Sequence, residues 1–124
     1  MGDGTTTARN APTIAVTTTA LGAATFNELA GAQDSRCGMT SAGDVWCWGG
    51  NNHGILGIND PTNGTTRTTP AKANVLTGVT HIDMSHRTAC AVDMQQRVFC
   101  WGTNKRGQVR SDTNVARQPT QVPL

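Results

Sequence analysis

Cys37–Gly57 reads CGMTSAGDVWCWGGNNHGILG, and Cys90–Arg110 reads CAVDMQQRVFCWGTNKRGQVR. A shift of 53 positions lays Cys37 on Cys90, Val45 on Val98, Cys47 on Cys100 and Trp48 on Trp101. The same shift lays Gly49 on Gly102, Asn51 on Asn104 and Gly54 on Gly107. Upstream, Phe26 and Leu29 fall on Val79 and Ile82. The chain is therefore an internal repeat, and a period near 50 points to a propeller, solenoid or array.

Strands follow from period-two alternation on either side of these stretches. In the first unit they are expected at 26–30, 36–40 and 45–49, with a turn at 41–44. A Gly- and Asn-rich loop follows, and a weaker fourth strand covers 69–75. The second unit repeats the order at 79–84, 88–93, 97–101 and 118–122. Each unit reads as a four-stranded antiparallel meander, the shape of one propeller blade. The predicted fold is all-β: blade 1 over 26–76, blade 2 over 77–124, and an N-terminal extended arm over 1–25. Fourteen of the arm's residues are Thr or Ala. Its first ten read as flexible, Pro12–Thr17 reads as a strand, and a helix over 18–24 is the rival.

Composition narrows the classes. In 124 residues, 36% hydrophobic content without Tyr and with 14 Gly implies a modest core that needs staples or neighbours. A net charge of +2 does not mark a nucleic-acid or membrane binder. Residues 1–60 carry two basic and five acidic side chains, whereas 61–124 carry eight and three, a polarity that would favour head-to-tail contacts. No stretch reaches the roughly 18 apolar residues of a membrane span. The opening MGDGTTTARNAPTIAV lacks a basic segment followed by an apolar one, so a secretory leader is not expected there.

The two units resemble the repeat of the regulator of chromosome condensation family, the RCC1-type repeat. The resemblance lies in GDVWCWGGNNHGILG and RVFCWGTNKRGQV, with Pro70 and Pro119 leading the last strands. It covers 26–124, and its W-G-x-N-x-x-G core makes Trp48, Gly49, Asn51, Gly54, Trp101, Gly102, Asn104 and Gly107 the structural core set. The two-cysteine form resembles bacterial and secreted members. The resemblance implies a β-propeller that serves as a protein-binding platform, either an exchange factor for a small GTPase or an inhibitor of β-lactamases. The chain departs from the family in having two blades rather than seven. Ala32 and Ser85 stand where Gly is expected, and Arg110 replaces the last Gly of the turn. No residue set carries either activity across.

Cys37 and Cys47 flank a tight turn, as do Cys90 and Cys100. Directly opposed strand positions lie about 4.5–5.5 Å apart, which permits a disulfide in each hairpin. Four reduced core thiols are the other reading. Paired Cys-x9-Cys motifs also mark small helical-hairpin proteins, but Trp48-Gly49-Gly50 directly after the first motif favours strands. The spacing is far from a zinc knuckle. His53, His81 and His86 have no carboxylate or Cys partner at motif spacing, and no Ser has a nucleophile-elbow context. Neither catalysis, a metal nor a cofactor is indicated. Trp46, His53, Lys105, Arg106 and Arg110 are the candidate partner contacts, and Asn63-Gly-Thr65 fits a glycosylation acceptor.

Two blades leave apolar faces at both ends. The leading expectation is a non-catalytic structural or protein-binding module that self-assembles as a homo-oligomer or filament. The disulfides place it outside the cytosol, extracellular or on a virion or cell surface. The alternative is a fragment of a full RCC1-like propeller whose loops bind and inhibit or regulate a soluble protein partner.

Overall fold

A computed structural model describes residues 2–12, 25–109 and 113–123. Among the described residues eight strands form in chain order: β1 (Phe26–Gly31), β2 (Ser35–Thr40), β3 (Val45–Gly50), β4 (Thr66–Lys72), β5 (Val79–Met84), β6 (Thr88–Asp93), β7 (Val98–Thr103) and β8 (Val115–Val122). They make two antiparallel four-stranded sheets with neighbours in sequence order, β1-β2-β3-β4 and β5-β6-β7-β8. These are the two expected blades. A short 3-10 turn, Asn52–Gly54, opens the loop after β3. Among the described residues no helix is long and apolar enough to cross a membrane. The strand and helix readings of 13–24 lie outside the described residues.

The outer strands depart from expectation. β4 begins at Thr66 and ends at Lys72, some three residues before the predicted span. Ala73 still donates its amide to the Val45 carbonyl, but Asn74 turns to the Gly57 carbonyl and Val75 adopts φ 69°. A β-branched residue in that left-handed region cannot continue a strand. β8 starts at Val115, three residues before the predicted span.

The paired cysteines sit in register, Cys37 opposite Cys47 and Cys90 opposite Cys100, each pair with Cα atoms 4.1 Å apart and bonded as a disulfide. Both staples cross the central hairpin of a blade. The glycine after each tryptophan is fixed by close approach. Gly49 and Gly102 have φ of 98° and 103°, and a Cβ there would overlap the Asp34 and Arg87 carbonyl oxygens respectively. The Trp-Gly step is thus the point where β3 and β7 bend against the preceding turn.

The core lies between the sheets as well as within them. Val45, Leu56, Val79, Ile82, Trp101 and Val109 belong to one buried cluster that joins both blades. Blade 1's loop delivers Ile55 and Leu56 onto blade 2, where Trp101 Nε1 donates to the Ile55 carbonyl at 2.7 Å. On the inner strands Glu28 Oε1 accepts the Ile82 amide at 2.9 Å and pairs with His81 Nδ1 at 2.8 Å. His81 thus has a carboxylate partner after all, 53 residues away in sequence and on the other blade. A register shift between Val79 and His81 turns the imidazole outward.

The hairpin turn of blade 2 is organised by Asp93, which is buried. Its Oδ1 accepts the amides of Gln95 and Arg97, and its Oδ2 the Arg97 guanidinium at 2.7 Å. Burial alone would raise this carboxyl's pKa, but the bonds from Arg97 and Gln95 outweigh it and hold the pKa below 3.8. A depressed folded pKa contributes stability that is present above the unfolded value and is lost as pH falls through the folded one.

Two outcomes follow. Replacing Cys37 and Cys47 together by Ala should lower unfolding stability by about 2–3 kcal/mol, because each staple closes a short loop. Urea titration of the oxidised parent and the variant checks this. Lowering pH from 6 to 2 should depress the thermal midpoint of the parent most steeply below 3.8, and Asp93→Asn should flatten that acid limb. An unchanged limb in the variant would remove Asp93 from the account.

Candidate protein-binding site

The scaffold residues of the repeat work alike in both copies. Asn51 Oδ1 accepts the Leu56 amide at 3.1 Å, and Asn104 Oδ1 accepts the Val109 amide at 2.8 Å. The amides of Gly54 and Gly107 return to the carbonyls of Asn51 and Asn104. Each Asn is buried and closes the loop behind its tryptophan. These side chains are committed to the fold and offer little to a partner.

Several positions that differ between the copies lie in the turns at one end of the blades. The β1–β2 turn presents Gln33 and Asp34, and the β5–β6 turn presents His86 and Arg87 at the matching places. His53 projects from the loop after β3, and Lys105 and Arg106 from the loop after β7, where both are exposed. A cleft of about 170 Å³ opens between the blades here, lined in part by Asp34, His53, Ile55, His86 and Arg87.

His53 sits at the centre of this end. Its φ is 61°, and its amide is held by Asn63 Oδ1 at 2.9 Å. Burial first, then the positive charges of Arg87 and Lys105, push its pKa below the ordinary 6.5. That coupling brings charges of blade 2 to bear on His53 of blade 1, in a cleft that Asp34 also lines. Such a surface can accept carboxylates through charge-assisted hydrogen bonds.

The other candidate contacts divide. Trp46 is buried at 6% exposure within blade 1, opposite Gly38 and Lys72, so little of its ring is available to a partner. Arg106 donates its amide to Gln108 Oε1 and leaves its guanidinium at the surface. Arg110 lies outside the described residues. The structure adds His86 and Arg87, which sequence reading did not single out as contacts. Their signal was their mismatch with Gln33 and Asp34 under the 53-residue shift.

Residues 42–92 match the family model described as the Regulator of chromosome condensation (RCC1) repeat. No curated protein matches the chain. Among solved structures it is similar to human WBSCR16, at 22% identity and a TM-score of 0.69 over 79% of this chain and 25% of that one. It is similar to yeast RCC1 (Prp20) bound to Kap60, at 16% identity and a TM-score of 0.71 over 82% and 25%. A second structure of Prp20p from Saccharomyces cerevisiae, described with its binding properties to Gsp1p and histones, gives 15% and 0.70 over 83% and 26%. The chain spans about a quarter of the length of each. The fold these structures share with the two blades is that of propeller blades.

The electrostatic neighbourhood is directly measurable. Arg87→Gln should raise the His53 pKa towards 6.5, leaving only the part due to burial and Lys105. A proton NMR titration of the imidazole checks this, and an unmoved midpoint would separate Arg87 from the cluster.

Proposed function

We propose that this chain forms two adjacent blades of an RCC1-type protein-binding propeller, whose loop end binds and regulates a soluble protein partner. The observation that carries this reading is the convergence of Asp34, His53, His86 and Arg87, from loops of both blades, around one cleft, with the Lys105 charge acting on His53. The positions shared by the two copies hold the blades together, and differing turn residues supply a charged end whose basic edge is Arg87. The activity is recognition rather than catalysis, and the partner offers acidic side chains. The disulfide in each blade suits work in an oxidising setting, extracellular or on a virion or cell surface.

Head-to-tail assembly of copies is the weaker reading. Gly57 packs so closely on Trp101 that a Cβ there would lie 2.9 Å from Nε1. The corresponding residue of blade 2 is Arg110. A second copy therefore could not receive blade 2 in the way that blade 2 receives blade 1.

The test is a titration of the full-length, oxidised chain with a deca-glutamate peptide, followed by amide NMR. Shifts should cluster at His53, His86, Arg87 and Lys105 and weaken with added salt. Arg87→Glu with Lys105→Glu should reduce the affinity at least tenfold. Equal binding by parent and variant would overturn the assignment of this end as the docking face.

A further inference from the structure

Blade 2 shows what covers the tryptophan face of a blade. Trp101 is 1% exposed under the Ile55–Gly57 loop of blade 1. Gly57 lies flat on the indole, with its missing Cβ 2.9 Å from Nε1 and 3.2 Å from Cδ1 of Trp101. Two residues on, the Asn59 amide donates to the Arg117 carbonyl of β8 at 2.9 Å.

The same arrangement occurs on blade 1, made by the N-terminal segment. Gly2 lies on Trp48, its missing Cβ 2.7 Å from Nε1 and 2.9 Å from Cδ1. Two residues on, the Gly4 amide donates to the Thr68 carbonyl of β4 at 3.0 Å. Thr68 is the counterpart of Arg117, because Gly49 pairs with Arg67 as Gly102 pairs with Ala116. Gly2 and Gly4 thus stand on blade 1 where Gly57 and Asn59 stand on blade 2.

Neighbouring residues make similar kinds of contact, though at a different spacing. Asp3 Oδ1 accepts the Thr5 amide at 3.0 Å, and Asp60 Oδ1 accepts the Thr62 amide at 2.9 Å. Arg9 pairs with Asp3 at 2.8 Å, and Arg67 pairs with Asp60 at 3.4 Å. Arg9 and Pro12 stand three residues apart, as Arg67 and Pro70 do.

Trp48 is 7% exposed, but the seat beside it is not filled as on blade 2. A cleft of about 430 Å³ remains beside Trp48, lined by Gln33, Asp34, Arg36, Trp48 and Gly49. In blade 2 the matching positions His86 and Arg87 face the loop that carries His53 and Ile55. Leu29 is 67% exposed, whereas its counterpart Ile82 is 4% exposed. Trp48 Nε1 has no acceptor among the described residues, although its counterpart donates to Ile55.

We propose that the Trp48 face is a second inter-blade docking site and that residues 2–12 are the trailing part of a docking loop. Its occupant is a blade loop of the Asn52–Gly57 type, with Gly2 in the place of Gly57. The loop brings two aliphatic side chains into the cleft and a backbone carbonyl to the Trp48 indole. The arm is accordingly a blade element that closes blade 1.

The test uses the full chain labelled with nitrogen-15. In one form Asn-His-Gly-Ile-Leu replaces Met1 ahead of Gly2, and in a control Asn-His-Gly-Asp-Asp does so. The first should slow hydrogen exchange of the Trp48 indole at least tenfold and move its resonance towards that of Trp101, and the control should not. Gly2→Val in the parent should shift the Trp48 indole and the Thr68 region while leaving Trp101 unmoved. Equal Trp48 exchange in the extended and control forms, or an unmoved Trp48 in Gly2→Val, would overturn the proposal.

Discussion

The packing of a glycine-bearing loop onto a tryptophan governs the rest of this fold. Trp101 gives up solvent on both sides of its ring, and its one polar atom must find a partner in the dry space between blades. The Ile55 carbonyl meets that need only because Asn51 holds the loop in shape and Gly57 lets the backbone lie against the indole. Leu56 is carried into the shared core by the same turn. The blades therefore stack through a backbone-to-indole contact whose parts all belong to the repeated motif. Their mutual position follows from that contact together with the Glu28 bridge on the inner strands.

The parts of the structure legible in the sequence were those governed by local rules repeated twice. Cys37 and Cys47 could be paired because strand alternation and a short turn place them opposite each other, and the copy at Cys90 and Cys100 repeated the argument. β5 and β6 matched their expected spans because β6 alternates strictly and β5 does so from Ile82 to Met84, past an irregularity after Val79. The outer strands were less legible. β4 is polar and β8 carries Pro119 within it, so alternation gave no firm limits, and the left-handed turn at Val75 carries no signature of its own. Glu28 with His81 was invisible for another reason. Its members are 53 residues apart, and what joins them is the stacking of blades rather than spacing along the chain.

The candidate site was half legible. Lys105 and Arg106 stood out as a basic loop, and His53 as an odd residue within a Gly/Asn turn. His86 and Arg87 gave no motif because one turn residue looks like another until the blades are stacked. Trp46 misled in the opposite direction. Its lack of a tryptophan counterpart at Phe99 suggested a special role, yet both rings are buried within their own blades.

Comparing the two copies separates constrained positions from free ones on physical grounds. Trp, Gly and Asn recur at matching places because each satisfies a constraint that any blade faces: a covered face, a close backbone approach, a closed loop. Asn52 against Lys105, Gln33 against His86 and Asp34 against Arg87 face no such constraint, since their side chains reach solvent at the loop end. Charge is free to vary there at little cost to stability, whereas a change at Gly49 or Gly102 would force the backbone apart. The same comparison shows why charge collects between the blades. Each blade contributes one turn to the cleft, so a pair of unlike turns makes a polar seam with an acidic edge at Asp34 and a basic edge at Arg87. Any molecule touching both edges would span two blades, so its footprint would depend on the tryptophan contact holding them together.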